Sequence, residues 1–283
     1  ICVLGYSDQE LARRNSVVPQ HRCLREIPGF ERFYGDLVHS LYDMQTSAER
    51  LDPAYSDNDT TLLIKACAQD AETLRSQVEH IVSQLCYPAK FKRICLAIDT
   101  FEGPYLREYS SGSLEGVLAV SEQLKTEKII DQVLVSPCTS DSIRDVYLSW
   151  FGYGSIMETH TNGQAPLYSQ LWAFNQIDSR FVLQCDCDVL IGRQDFTHDY
   201  LADMKHACEG ANVISVGFNI PQSQAGFKPY RAPAGGYVPE VRFCLMDLTT
   251  VFDQLPIRNP HSGGRFNLMW HRALELHQEK TNL

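Results

Sequence analysis

The chain has 283 residues and a mass of 32.1 kDa, with 25 Lys+Arg against 35 Asp+Glu, a net charge of −10 and a pI near 5.3. Hydrophobic residues are 44% and charged residues 21%, a globular composition that excludes a disordered or collagen-like chain. The acidic balance argues against a nucleic-acid binder, whose affinity comes from clustered Lys and Arg. No apolar run reaches the roughly 18–20 residues of a membrane span.

Residues 1–58 mix charges with Pro19, Pro28 and Pro53 and hold one helix-like stretch, Glu31 to Met44. They are expected to form an N-terminal helical extension or linker. The polar segment Ser56-Asp57-Asn58-Asp59 reads as a loop and sets the boundary, leaving 59–283 as the main domain. The first residue is Ile1, and the sequence is read as a piece of a longer protein, with further domains among its expected partners.

After the boundary, strands and helices alternate. Thr61 to Ala66 reads as a buried strand, and Asp70 is expected to cap the following helix. Ala71, Leu74, Val78, Ile81 and Leu85 recur at spacings that build one apolar helix face. Arg93 to Ile98 is the next buried strand, ending at Asp99. Leu114 to Lys128 reads as a helix and Ile129 to Val135 as a third strand. The repeat of roughly 30–35 residues is that of βαβ units in a parallel sheet. Asn162-Gly163 is a turn, and Pro166 suits the first turn of a helix with Leu167, Leu171 and Phe174 on its apolar stripe. Phe181 to Ile191 reads as one hydrophobic strand. A helix over Thr197–Cys208 and a strand over Asn212–Phe218 follow. Residues 221–238, rich in Pro and Gly, read as a long loop. Val241–Met246 closes the strand set, and Arg265–His277 reads as the last helix.

Ten cysteines is a high count, but Cys95, Cys185, Cys187 and Cys244 lie in apolar runs, where free Cys behaves as a small hydrophobe. Cys185 and Cys187 have no second CxC or CxxC to complete a zinc site. A reducing, cytoplasmic setting is expected.

Asp186-Cys187-Asp188 is the strongest chemical feature. Two carboxylates two apart on a strand project to the same side, and such a like-charge pair calls for a cation. Hard oxygen ligands suit magnesium or manganese, which can bridge to phosphates. Where the strand emerges into solvent, the same pair is harmless.

On these residues, the region from about Thr60 to the end resembles glycosyltransferases of the GT-A fold, especially the family-2-like group that uses nucleotide-diphospho-sugars. Thr61 to Leu85 is similar to the opening strand, nucleotide-contacting turn and first helix. Arg93 to Asp99 is similar to the second strand with its nucleoside-contacting Asp. Asn162 to Ile191 is similar to the glycine turn, helix and DxD strand that hold the sugar diphosphate. The resemblance implies a Rossmann-like α/β fold with a mixed, mostly parallel sheet flanked by helices. It also implies a nucleotide-diphosphate sugar donor of UDP or GDP type, a carbohydrate or other hydroxyl acceptor, and a divalent cation.

Carried over by position, Asp186 and Asp188 lie near the metal and the sugar diphosphate, with His271 as a third ligand and His261 as its rival. Lys65, Ala66, Cys67 and Asp99 line the nucleoside pocket, and Gly163 lets the backbone approach the donor. Each has a plain alternative: Lys65 as a strand-end surface lysine, Asp99 as a cap or turn residue, His271 as a packed helix histidine. Arg231, Arg242 and Arg258 are candidates for phosphate contact, and Trp172 and Trp270 for sugar stacking.

The departure from the family lies before the last helix. Inverting relatives carry an acidic pair there, whereas Gly263 to Arg272 holds no carboxylate. Glu240 is the candidate base, with Asp247 second; both also read as surface carboxylates. The main expectation is a metal-dependent glycosyltransferase of the hexosyltransferase type. The alternatives are a non-catalytic sugar-nucleotide-binding or scaffold domain and a sugar nucleotidyltransferase. Lys65-Ala66-Cys67-Ala68 lacks the glycines and paired basic residues of a nucleotidyltransferase loop.

Overall fold

The structure is a computed structural model describing residues 2–3, 55–101, 112–193, 195–210, 213–217 and 241–281. Its centre is a six-stranded sheet in the order β4-β3-β2-β5-β8-β7. The strands are β2 (Tyr55–Cys67), β3 (Ala89–Asp99), β4 (Gln132–Val135), β5 (Phe181–Asp186), β7 (Ser215–Gly217) and β8 (Phe243–Asp247). Neighbours from β4 to β5 are parallel, and β8 runs antiparallel to both β5 and β7. Gly217 and Cys244 are partners at one end of the β7–β8 ladder. Short β1 (Cys2–Val3) pairs with β6 (Ile191–Gly192), and β9 (His261–Ser262) with β10 (Arg265–Phe266). The mixed, mostly parallel sheet is thus the α/β architecture expected.

Period-two alternation along β2 divides the core between two faces. Leu62 and Ile64 point to one side, where α1 (Leu74–Leu85), α2 (Leu114–Thr126) and α5 (Tyr200–Cys208) bring Leu74, Val78, Ile81, Val117, Leu124 and Met204. Leu63 points to the other, where α3 (Ser140–Phe151), α4 (Tyr168–Asn175), α6 (Leu248–Asp253) and α7 (Trp270–Thr281) bring Tyr147, Trp150, Phe174, Val251 and Trp270. Each large apolar side chain so buried contributes about 1.5–3 kcal/mol. Trp270 is fully buried with its Nε1 donating to Gln170 Oε1 at 2.6 Å, so it is a core residue and not a sugar platform.

Several boundaries differ from the sequence reading. Ser56–Asp59 is not a loop but the start of β2, with a register shift between Asp57 and Thr61. Its polar character is offset by Lys205, whose Nζ lies 3.1 Å from Asp57 Oδ2 and 3.7 Å from Asp59 Oδ2. The helix expected over Glu31–Met44 and the loop 221–238 lie outside the described residues. Asp70 caps no α-helix. It closes the turn Ala68–Asp70, its Oδ2 accepting from Cys67 N at 2.8 Å. Helix α3 went unread, although Thr139 caps it through Ser142 N and Gly152 ends it at φ +66. Arg265 and Phe266 are a strand, because Gly263 and Gly264, at φ +56 and +77, turn the chain back onto His261–Ser262.

The hydrophobic run Phe181–Ile191 also breaks in two. Strand β5 ends at Asp186, and Val189 N donates back to Asp186 O at 3.2 Å. Cys187 and Asp188 therefore sit on a turn, and the two carboxylates do not share a strand face. Cys187 drops into the core beside Cys185, whose thiol burial pushes well up. No helix of the described residues is long and apolar enough to cross a membrane.

Candidate functional site

The sheet order reverses between β2 and β5. From β2 the chain moves outward to β3 and β4, then returns to lay β5 on the other side. This junction between β2 and β5 is a switch point of the sheet, and sheets of this kind hold ligands outside the strand carboxyl ends at such points.

Lys65 and Asp186 face each other across this junction as register partners. Lys65 Nζ lies 2.9 Å from Asp186 Oδ1 and donates to Val241 O at 2.6 Å. The lysine is 7% exposed and the aspartate 22%. An ammonium this deep persists only with such partners. Asp186 N donates to Arg242 O at 2.8 Å and Cys187 N to Lys65 O at 2.9 Å, so the start of the Asp186–Asp188 turn is held by backbone bonds from both sides.

Asp99 ends β3 at the same edge, opposite Cys67. Its Oδ2 stands 3.1 Å from His160 Nε2, and its Oδ1 accepts from Phe101 N at 3.3 Å. His160 Nδ1 lies 3.0 Å from Thr159 Oγ1, and the Phe101 ring covers the imidazole with centroids 3.9 Å apart. From the strand spacings, Asp99 and Asp186 are separated by roughly 12 Å along the edge.

Of the other expected pocket residues, Cys67 is turned toward Asp70, its thiol 3.3 Å from Asp70 Oδ2. Ala66 belongs to the core cluster beneath α1 and α2, so its methyl does not face the edge. Gly163 lies in the turn where Gln164 N donates to Thr161 O. A methyl there would meet only Thr161 Oγ1, at 3.8 Å, so no crowding within the described chain demands glycine. Gly112 is different: a methyl on it would fall 2.1 Å from Ala68 O, which seats α2's approach directly against the turn after β2.

His271 lies in the first turn of α7, 8% exposed, with a buried Nδ1 that has no hydrogen-bond partner among the described residues. Burial, then the charges of Arg272 and Lys65, hold it down to about 3, so the ring is neutral and within electrostatic reach of the Lys65–Asp186 pair. His261 is exposed on the β9–β10 hairpin against Tyr153.

The two candidate bases part company. Glu240 lies outside the described residues, as does Arg231. Asp247 lies at the far end of β8, opposite Phe181 at the start of β5, about 16 Å of strand from Asp186. There its Oδ2 accepts from Arg180 Nε and Nη2 at 3.0 and 2.8 Å, and its Oδ1 caps α6 through Thr250 N. The antiparallel direction of β8 carries Asp247 to the opposite edge of the sheet.

Among the described residues, no group of three His, Cys, Asp or Glu side chains is arranged to hold a metal ion. Asp186, Asp188 and His271 therefore do not form the three-ligand set expected. Magnesium and manganese sites for phosphate substrates commonly use one or two carboxylates and complete the shell with phosphate oxygens and water. Two partly exposed carboxylates on one turn fit that donor chemistry. The residues that sequence reasoning missed are His160, Thr159 and Phe101, together with the Val241 carbonyl. The chain matches no protein-family model, and no curated protein matches it.

Proposed function

We propose that the chain is a metal-dependent glycosyltransferase, moving a sugar from a UDP- or GDP-type donor to a hydroxyl of a carbohydrate or other acceptor in a cytoplasmic setting. The observation that carries this reading is the position of the Asp186–Asp188 turn at the switch point of the sheet, with Asp99 on the same edge. A nucleoside diphosphate lying along that edge would set its nucleoside at Asp99 and its phosphates at Asp186 and Asp188.

In this reading Asp186 and Asp188 hold the divalent cation. The cation, when bound, neutralises the charge that develops on the diphosphate leaving group. Lys65 fixes the Asp186 carboxylate and adds a positive charge beside the phosphates. Asp99, acceptor-only when ionised, takes hydrogen bonds from the nucleoside. Glu240 is the proposed base for the acceptor hydroxyl. It immediately precedes Val241, whose carbonyl receives the Lys65 ammonium.

One observation favours a second reading. Asp247 is committed to Arg180 and to the α6 cap, which leaves Glu240 as the sole carboxylate proposed as base and gives weight to a domain that binds donor without transferring it. Slow metal-dependent hydrolysis of the donor separates the two, since a transferase leaks donor to water and a binding domain does not.

The test is calorimetric titration of UDP, GDP and their sugars, with manganese and then with chelator, into wild type and Asp188→Ala. Binding of one nucleotide class that needs manganese and is lost in Asp188→Ala is the expected result. A folded wild type that binds none of them overturns the reading.

A further inference from the structure

The loop 159–166 is carried to the ligand edge from well outside the strands that build it. Its His160 bridges to Pro166, and Thr161 N donates to Ala165 O at 2.9 Å, so the loop is internally tied just before α4. Asn162 N also donates to Phe266 O at 2.9 Å, which docks the loop on the β9–β10 hairpin. From this platform His160, 3% exposed, reaches Asp99, sixty-one residues earlier in the chain.

The donor pattern has one consistent assignment in the neutral ring. An ionised Asp99 can only accept, so Nε2–H donates to Oδ2; Nδ1 is then the acceptor, and the Thr159 hydroxyl donates to it. With Phe101 N–H on Oδ1, both carboxylate oxygens are anchored, and Phe101's ring seals the imidazole. The remaining lone pairs of Asp99 therefore point in fixed directions. A carboxylate set in this way discriminates among donors, because a misplaced N–H or O–H leaves a partly buried acceptor unpaired.

We propose that His160 is the positioning residue of the nucleoside site, holding Asp99 in the orientation that accepts from the donor's nucleoside. The proposal rests on the reading of this edge as a nucleotide-sugar site. His160 touches neither sugar nor phosphate; it acts through Asp99.

The experiment measures manganese-dependent binding of UDP, GDP and inorganic pyrophosphate to wild type, His160→Leu, His160→Gln and Asp99→Asn, with folding followed by circular dichroism. His160→Leu is expected to weaken the nucleoside diphosphate that wild type binds by roughly tenfold or more, the loss of one charge-assisted hydrogen bond, with pyrophosphate unchanged. His160→Gln, which can still donate to Asp99, recovers most of the loss. His160→Leu placed on Asp99→Asn adds little further. Equal weakening of nucleotide and pyrophosphate, or wild-type nucleotide affinity in His160→Leu, overturns the assignment of His160 alone. A wild type that binds neither nucleotide overturns both this assignment and the reading beneath it.

Discussion

Lys65 and Asp186 are strand partners across the β2–β5 junction, where the sheet order reverses, and their side chains meet at 2.9 Å. The pair puts a nearly buried cation beside the DxD turn, where a diphosphate in the proposed orientation would meet it.

Removing the ammonium should be costly and partly reversible. Lys65→Met leaves Asp186 without its partner and is expected to lose about 2 kcal/mol, less than a fully buried pair would, because the carboxylate still reaches water. Lys65→Met combined with Asp186→Asn should regain part of that loss in urea denaturation. Additive losses would mean that the pair contributes nothing as a pair.

Asp247 and Glu240 should separate cleanly. Asp247→Ala removes a helix cap and the acceptor of Arg180, and is expected to cost about 1–3 kcal/mol in stability while leaving nucleotide binding as it was. Glu240→Ala should abolish transfer and spare donor binding. Retained transfer in Glu240→Ala would remove that residue from the mechanism.

Burial holds His80 below its ordinary value near 6.5, and its Nε2 accepts the Ile191 amide at 3.2 Å. The unfolded chain takes up this proton near 6.5 and the folded chain only at lower pH. Stability from His80 is therefore complete above 6.5 and is lost as the pH falls below it, at up to about 1.4 kcal/mol per pH unit. His80→Gln keeps an acceptor that does not titrate, and denaturation between pH 7 and 5 should show a shallower slope than in wild type. An unchanged slope would place the pH sensitivity elsewhere.

Gly112→Ala should disturb the turn after β2. The added methyl would overlap Ala68 O, so the turn Ala68–Asp70 or the start of α2 must shift. The expected loss is about 1–3 kcal/mol in thermal unfolding. Because Cys67 and Asp70 share that turn, nucleotide affinity should fall with it; unaltered affinity would detach the turn from the site.

The sheet was legible wherever burial wrote a simple pattern. Leu74, Val78, Ile81 and Leu85 are all fully buried on α1, as their spacing predicts. The break at Asp186 was not legible, because Cys187, Val189 and Ile191 are apolar and buried whether the backbone continues as a strand or turns. Two misses had signals: the Thr139 cap with Gly152 beyond α3, and the Gly-Gly pair at 263–264 between two extended dipeptides. Lys65, Asp99 and Asp186 could be singled out as charges ending apolar runs. Nothing local marks Thr159-His160 as the partner of Asp99, since the contact spans sixty-one residues and depends on how the 159–166 loop docks.

The chain leaves β7 at Gly217 and re-enters the sheet at β8, where Cys244 is the direct partner of Gly217. The intervening stretch departs from and returns to neighbouring rungs of one ladder, and its return is clasped by Lys65 on Val241. The cost of closing such an excursion grows only with the logarithm of its length. A change of length between Gly217 and Val241 therefore adds little closure cost to the paired strands that bracket it. The strand ends that bracket this stretch are thus fixed by the β7–β8 ladder and by Lys65, whatever the length between them.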